Sequence, residues 1–223
     1  MQPGRVAERL PFGRPGAVIA RLGARDKLAR ELQYPADGTD AAVLRAAWDR
    51  WGVETPNHLR GPFGFAVTDG WSVWLVRDPL GEVPLYFSRV PGGVVVGSDV
   101  AWVLADPEVS DEVDMDAVAL RLARCFRECA RQTDYRAVSK VAPGTMVRIE
   151  ADGMREFRYW RPETIGTASR LRFEDAVDRG EELLRDAVHD RLDGDRTAAH
   201  LSGGLDSGVV AALAAEQLRD CSG

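Results

Sequence analysis

Between residues 63 and 96 four short apolar runs follow one another with only turn residues between them, and no helix fits in the gaps. The runs are Phe63-Gly64-Phe65-Ala66-Val67, Trp71 to Val76, Pro84 to Phe87 and Gly93 to Val96. Gly70, Gly81 and Pro91-Gly92-Gly93 punctuate them as turns. Strands this closely spaced, without intervening helices, pair antiparallel. Thr145 to Ile149 and Phe157 to Trp160, joined through the turn residues Asp152-Gly153, read as two more strands of the same kind.

Helical period surrounds this block. Thr39 is placed to cap a helix whose apolar face is Val43, Leu44, Ala47, Trp48 and Trp51, and Gly52 ends it. Residues 99–105 read as a short helix, and 114–129 as a longer one with Val118, Leu122, Cys125 and Cys129 along one side. The first forty residues are rich in Arg, Gly, Pro and Ala and offer one short apolar stretch, Ala17 to Leu22. Residues 1–160 therefore read as an α+β unit with a sheet-built core. A linker of turn composition follows over 161–170. From 171 to 223 the order is an amphipathic helix (Phe173 to Leu192), a break at Asp193-Gly194-Asp195, a buried strand from Thr197 to Leu201, a glycine loop and a final helix. That order is the opening of a parallel α/β sheet.

Composition excludes some classes of function. Hydrophobic residues make up 45% of the 223, enough for a core, and the formal charge of −6 argues against a sequence-blind grip on nucleic acid. No apolar run approaches the ~18 residues of a membrane span, and the first sixteen residues hold no apolar core of a secretory signal. Cys125, Cys129 and Cys221 lack metal-site spacing and fit unpaired thiols of a reducing cytoplasm.

The chemistry concentrates in Ser202-Gly203-Gly204-Leu205-Asp206-Ser207, which runs into the last helix. Two glycines allow a sharp turn, and no Cβ blocks an approaching anion. The amides of the turn and of the first helical turn point outward at the positive end of the helix dipole, an anion site made of backbone. Ser202 and Ser207 add hydroxyl donors. Asp206, a carboxylate at a phosphate site, is expected to touch Mg²⁺ or to cap the helix. The plain structural alternative is a glycine-rich turn into a helix. The Gly-Lys-Ser/Thr ending of a Walker loop is missing.

The six-residue string resembles the pyrophosphate loop of ATP pyrophosphatases, which cleave ATP between its α- and β-phosphates. Upstream, Gly61-Pro62-Phe63-Gly64-Phe65-Ala66, then Val76 to Tyr86 (with Arg77-Asp78 and Leu80-Gly81), then Val96-Gly97-Ser98-Asp99 resemble the succession found in asparagine synthetase-type proteins. Val141-Ala142-Pro143-Gly144-Thr145 and Tyr159-Trp160 match later landmarks, so the resemblance runs from about residue 40 to 215. It implies an N-terminal glutaminase-like domain of the αββα sandwich type, followed by the beginning of an ATP-pyrophosphatase domain. It also implies ATP and Mg²⁺ as cofactors, with Ser202, Gly203, Gly204, Leu205, Asp206 and Ser207 around the phosphates. The implied activity is carboxylate adenylation followed by amide formation, on an acidic small molecule or a peptide, with no nucleic-acid or membrane partner.

Family members use a cysteine directly after the initiator Met as glutaminase nucleophile. Here Gln2 stands there, no Cys, Ser or Thr precedes Thr39, and the family's glutamine-holding segments are unrecognisable before Thr39. The glutaminase is therefore expected to be dead and the amine to be supplied by the substrate, as in the β-lactam synthetase and lasso-peptide cyclase branch. An asparagine synthetase using ammonia and an inactive scaffold are the alternatives. Only sixteen residues follow Ser207, so the catalytic residues of the second domain are expected on sequence beyond residue 223 or on a second chain. The tryptophans and His200 are expected in the core, His58 and His189 carry no constellation, and Arg77–Asp78 reads as a salt link or a turn. Glu181, Glu182, Arg185 and Asp186 read as a solvated helix face.

Overall fold

The computed structural model describes residues 7–12, 15–22, 25–35, 38–123, 131–164, 172–192 and 197–221, in two compact units, Met1–Thr164 and Ile165–Gly223. Gln2, Cys125, Cys129, the Asp193–Asp195 break and most of the linker lie outside the described residues.

Among the described residues of the first unit nine strands form two antiparallel sheets: β1 Ala7–Pro11, β2 Pro15–Leu22, β3 Phe63–Asp69, β4 Val73–Arg77, β5 Tyr86–Val90, β6 Gly93–Gly97, β7 Ser139–Lys140, β8 Thr145–Glu150 and β9 Gly153–Arg158. Their orders are β1-β6-β5-β7 and β2-β3-β4-β8-β9. The helices are α1 Arg25–Glu31, α2 Asp40–Trp51, α3 Thr55–His58, α4 Val100–Leu104 and α5 Met115–Leu122.

Side-chain alternation fixes the layers, because successive residues of a strand face opposite ways. Leu10, Phe87, Val94 and Val96 of one sheet meet Ala66, Val73, Leu75, Val147 and Ile149 of the other in one cluster. The intervening residues Phe63, Phe65, Val67, Val76 and Met146 point the other way, onto Leu44 and Trp48 of α2. On the far side of the other sheet, Val90 and Val95 pack with Val103 of α4. The result is helix, sheet, sheet, helix: the αββα sandwich.

The caps hold where the sequence placed them. Thr39 Oγ1 accepts from Ala42 N at 3.3 Å, and Gly52 ends α2 at φ 54°. Thr39→Ala is expected to lower stability by about 1 kcal/mol in urea unfolding. Trp48 meets Phe65 edge-on at 6.3 Å and lies 5.8 Å from Trp74, as a core reading requires. Trp51 stacks on His58 at 4.1 Å.

Several expectations fail for identifiable reasons. Trp71 is 84% exposed; Asp69 Oδ1 accepts from Trp71 N and Ser72 N, so the run begins as a turn and β4 starts at Val73. On α5 the buried residue is Ala117, while Leu122 is exposed, so the Val118–Leu122 stripe is not the packed face. The strand expected over Phe157–Trp160 runs instead from Gly153 to Arg158. Tyr159 and Trp160 leave it to donate their amides to Gly144 O. The Tyr159 hydroxyl donates to Arg77 O at 2.7 Å, and burial holds this phenol protonated far above its ordinary range.

Arg77 and Asp78 form a turn, not a salt link. Asp78, 1% exposed, accepts from Leu80 N, Glu82 N and Val83 N at 3.1, 2.9 and 3.0 Å. Arg77 donates to the carbonyls of Val83 and Val141 at 2.7 and 2.8 Å, and to that of Gly81. Two adjacent ionised side chains thus organise one loop through its backbone, each facing a different set of peptide groups.

In the second unit α6 Phe173–His189 packs on α7 Leu205–Cys221 through Val188, Leu213, Ala214 and Leu192. Arg185, expected on a solvated face, joins Glu181 of its own helix to Glu216 of α7, both at 3.0 Å. The apolar residues Phe173, Val177, Leu183, Val209 and Val210 are exposed. Thr197–Leu201 forms no strand: it has no ladder partner among the described residues, and an unpaired strand is not stable alone. His200 is accordingly exposed rather than in a core.

Candidate functional site

The glycine loop is closed by its own two serines. Ser202 Oγ and Ser207 Oγ lie 2.9 Å apart, Ser202 N donates to Ser207 Oγ at 3.2 Å, and Gly204 N donates to Ser202 Oγ at 3.3 Å. Gly208 N reaches Gly204 O at 3.2 Å, the first bond of α7. Gly203 takes φ +81°, a left-handed conformation that a Cβ disfavours. Beyond Gly203, the loop ends at Gly204 and the helix starts at Leu205. Asp206 is therefore a first-turn residue and not the N-cap.

Two amides of this segment, those of Ser202 and Gly204, are taken by serine hydroxyls. Those of Gly203, Leu205, Asp206 and Ser207 have no acceptor among the described residues, as expected for donors at a helix start. The segment is exposed, and its free donors gather at the positive end of a 17-residue helix. Beside it opens a cavity of about 420 Å³, within the size range of small-ligand sites. Its walls include Val188 from α6, Leu192 just beyond that helix, Val210 and Ala214 from α7, and the polar edge formed by His200, Asp206 and Ser207. His200 thus belongs to this cavity, a placement the sequence reading missed because it took 197–201 as a buried strand.

The donor set suits a di- or triphosphate: four amides, the serine hydroxyl pair and a helix N-terminus, with no cation side chain required. Asp206 alone cannot hold a metal. Among the described residues no three His, Cys, Asp or Glu side chains come together as ligands.

In the first unit, β1 begins with Ala7 paired to Gly97, the last residue of β6. Asp99 caps α4 there, accepting from Ala101 N at 2.8 Å. Gln2 itself lies outside the described residues. No helix among the described residues is long and apolar enough to cross a membrane.

Two family models match the chain in order: a glutamine amidotransferase domain over residues 16–160, and an asparagine synthase over residues 179–222. Among curated proteins, asparagine synthetase [glutamine-hydrolyzing] 3 of Bacillus subtilis is 28% identical over 79% of this chain and 29% of its own length. A putative asparagine synthetase [glutamine-hydrolyzing] of Mycobacterium bovis is 32% identical over 89% of this chain and 32% of its own. Carboxyethyl-arginine beta-lactam-synthase of Streptomyces clavuligerus is 30% identical over 95% of this chain and 40% of its own. The chain spans roughly a third of the length of these relatives. With the αββα sandwich over the first match and the Ser202–Ser207 loop inside the second, the chain belongs to the glutamine amidotransferase domain family over residues 16–160, and residues 179–222 match part of an asparagine synthase domain.

Proposed function

We propose that Ser202–Ser207 grips the β- and γ-phosphates of ATP in a carboxylate-adenylating, amide-forming ligase, and that the amine it uses belongs to the substrate itself. The observation that carries the first half is the cluster of unengaged amides at the start of α7, beside a cavity that can hold a small ligand. Asp206 is the residue that would contribute a carboxylate toward Mg²⁺, which would supply positive charge to offset that of the phosphates. Adenylation supplies a good leaving group. The loop's own part is to hold developing negative charge on pyrophosphate with amides already oriented, so little reorganisation is needed as the bond breaks.

The second half rests on the sequence before Thr39, which offers no Cys, Ser or Thr for glutamine hydrolysis. An internal amine, as in macrolactam formation of the lasso-cyclase kind or in β-lactam closure, makes a glutaminase unnecessary. The match to a beta-lactam-synthase favours this branch. The matches to asparagine synthetases favour a second reading, in which aspartate and ammonia are joined. Either activity would belong to this chain together with a C-terminal portion such as the matched relatives carry.

Incubating that longer protein with ATP, aspartate and ammonium separates the readings. No asparagine is expected, whereas asparagine formed with AMP release would overturn the internal-amine proposal. Ser207→Ala removes both the partner of Ser202 Oγ and the acceptor for Ser202 N. It is expected to weaken pyrophosphate binding by about tenfold, roughly one charge-assisted hydrogen bond, with unchanged unfolding of the exposed loop's surroundings. Calorimetric titration of Ser207→Ala and the unsubstituted chain with pyrophosphate reads the change.

A further inference from the structure

The chain carries 29 basic residues, and only two of them, Lys27 and Lys140, are lysines. They sit in opposite settings. Lys27 is exposed on α1. Lys140 is half-buried on the two-residue strand β7, directly across from Tyr86 of β5. Its Nζ lies 5.8 Å from the centre of the Tyr86 ring. No carboxylate among the described residues pairs with it, an unusual condition for a lysine drawn out of water.

The groups around it are of mixed sign. Buried Arg77 donates its guanidinium to backbone carbonyls, one of them that of Val141, the residue after Lys140. Its positive charge acts on Lys140 without a bridging anion. Arg131, whose carbonyl accepts from Lys140 N, directs its own side chain to Glu156 at 2.5 Å. Asp99 acts on Tyr86, whose phenol burial pushes up, keeping that ring neutral. Burial first, and then Arg77, lower the Lys140 ammonium below its ordinary value. The neutral amine, which carries the lone pair, is therefore more populated here than on an exposed lysine.

We propose that Lys140 is a nucleophilic amine and a site of covalent acylation by mixed carboxylic–phosphoric anhydrides, the class that includes acyl phosphates and acyl adenylates. The neutral Nζ attacks the acyl carbonyl. A C–N bond forms, the C–O bond to the phosphate breaks, the phosphate leaves with the electron pair, and one Nζ proton passes to water. The product is an uncharged amide, which relieves the cost of a half-buried ammonium beside Arg77. This site is in the first unit and is independent of the pyrophosphate loop.

With two lysines in the whole chain, the test reads out site by site. The folded 223-residue protein is treated with acetyl phosphate across a pH series, and peptides are quantified by mass spectrometry. Lys140 is expected to be acetylated several-fold faster than Lys27 near pH 7, with its rate rising at lower pH than that of Lys27. In concentrated urea the two rates are expected to converge, since the local environment is then gone. Equal or faster labelling of Lys27 in the folded protein, or an advantage of Lys140 that persists in urea, overturns the proposal.

Discussion

Asp78→Ala is expected to lower unfolding free energy by about 4 kcal/mol, a large fraction of the margin of an ordinary small domain. The carboxylate is 1% exposed and satisfies three amides of the 79–83 loop. Hydrogen bonds to a charged group contribute about 1.5–3 kcal/mol each, and the Val83 amide left behind would be buried and unpaired. The damage spreads to Arg77, whose acceptors at Gly81 and Val83 are held in place by the same loop. Arg77 would then be a buried cation left with Val141 O alone of its three carbonyl acceptors, a costly state in itself. Asp78→Asn keeps one oxygen for Leu80 N and Glu82 N but turns an NH₂ toward Val83 N, so it should fall between wild type and Ala. Urea unfolding measures both. A midpoint for Asp78→Ala equal to that of wild type, at an unchanged slope, would show that the loop does not depend on this carboxylate.

Gly203→Val should act at the other end of the chain and on binding instead of on the sandwich. At φ +81° a β-branched residue is a steric outlier whose strain is on the order of 1–3 kcal/mol. Nothing lies within 4 Å of a Cβ built there, so the cost is conformational and not a clash. The loop should relax to another backbone geometry, breaking the Ser202–Ser207 closure and scattering the amides. Affinity for pyrophosphate is expected to fall about 10- to 100-fold, the equivalent of that strain. Gly203→Asn, which tolerates left-handed backbone, should retain most of it. Gly204→Ala should be milder still, because its Cβ would meet Ser202 Oγ at an ordinary 3.4 Å. An order of sensitivity in which Asn is as damaging as Val would shift the explanation from backbone strain to lost space.

Much of the sandwich was legible because its signals are local. Thr39 and Gly52 bracket α2 by side-chain capping and left-handed backbone, which one residue each can encode. The unbroken apolar runs Phe63–Val67 and Gly93–Val96 announce strands whose two faces are both covered. The first forty residues hid β1, β2 and α1, since their strands hold through ladder partners far away, Ala7 with Gly97 and Ala17 with Val67. Trp71 misled because an aromatic residue carries strand propensity while Asp69 decides the turn through two hydrogen bonds. At the loop, residue types and spacing predicted a turn into a helix and free amides, both visible in the structure. The strand expected ahead of it was not found, because strand formation needs neighbours that periodicity cannot supply. Lys140 has no local signature: its setting depends on Tyr86 and Arg77, both distant in sequence.

The most direct test of the pyrophosphate grip is a titration of the 223-residue chain with inorganic pyrophosphate, followed by backbone amide NMR. The amides of Gly203, Leu205, Asp206 and Ser207 are expected to shift together and saturably, ATP is expected to compete, and Gly203→Val is expected to abolish the response at the same concentrations. A folded protein whose 203–207 amides stay unmoved by pyrophosphate, while others respond or none do, would contradict the assignment of this loop to phosphate binding.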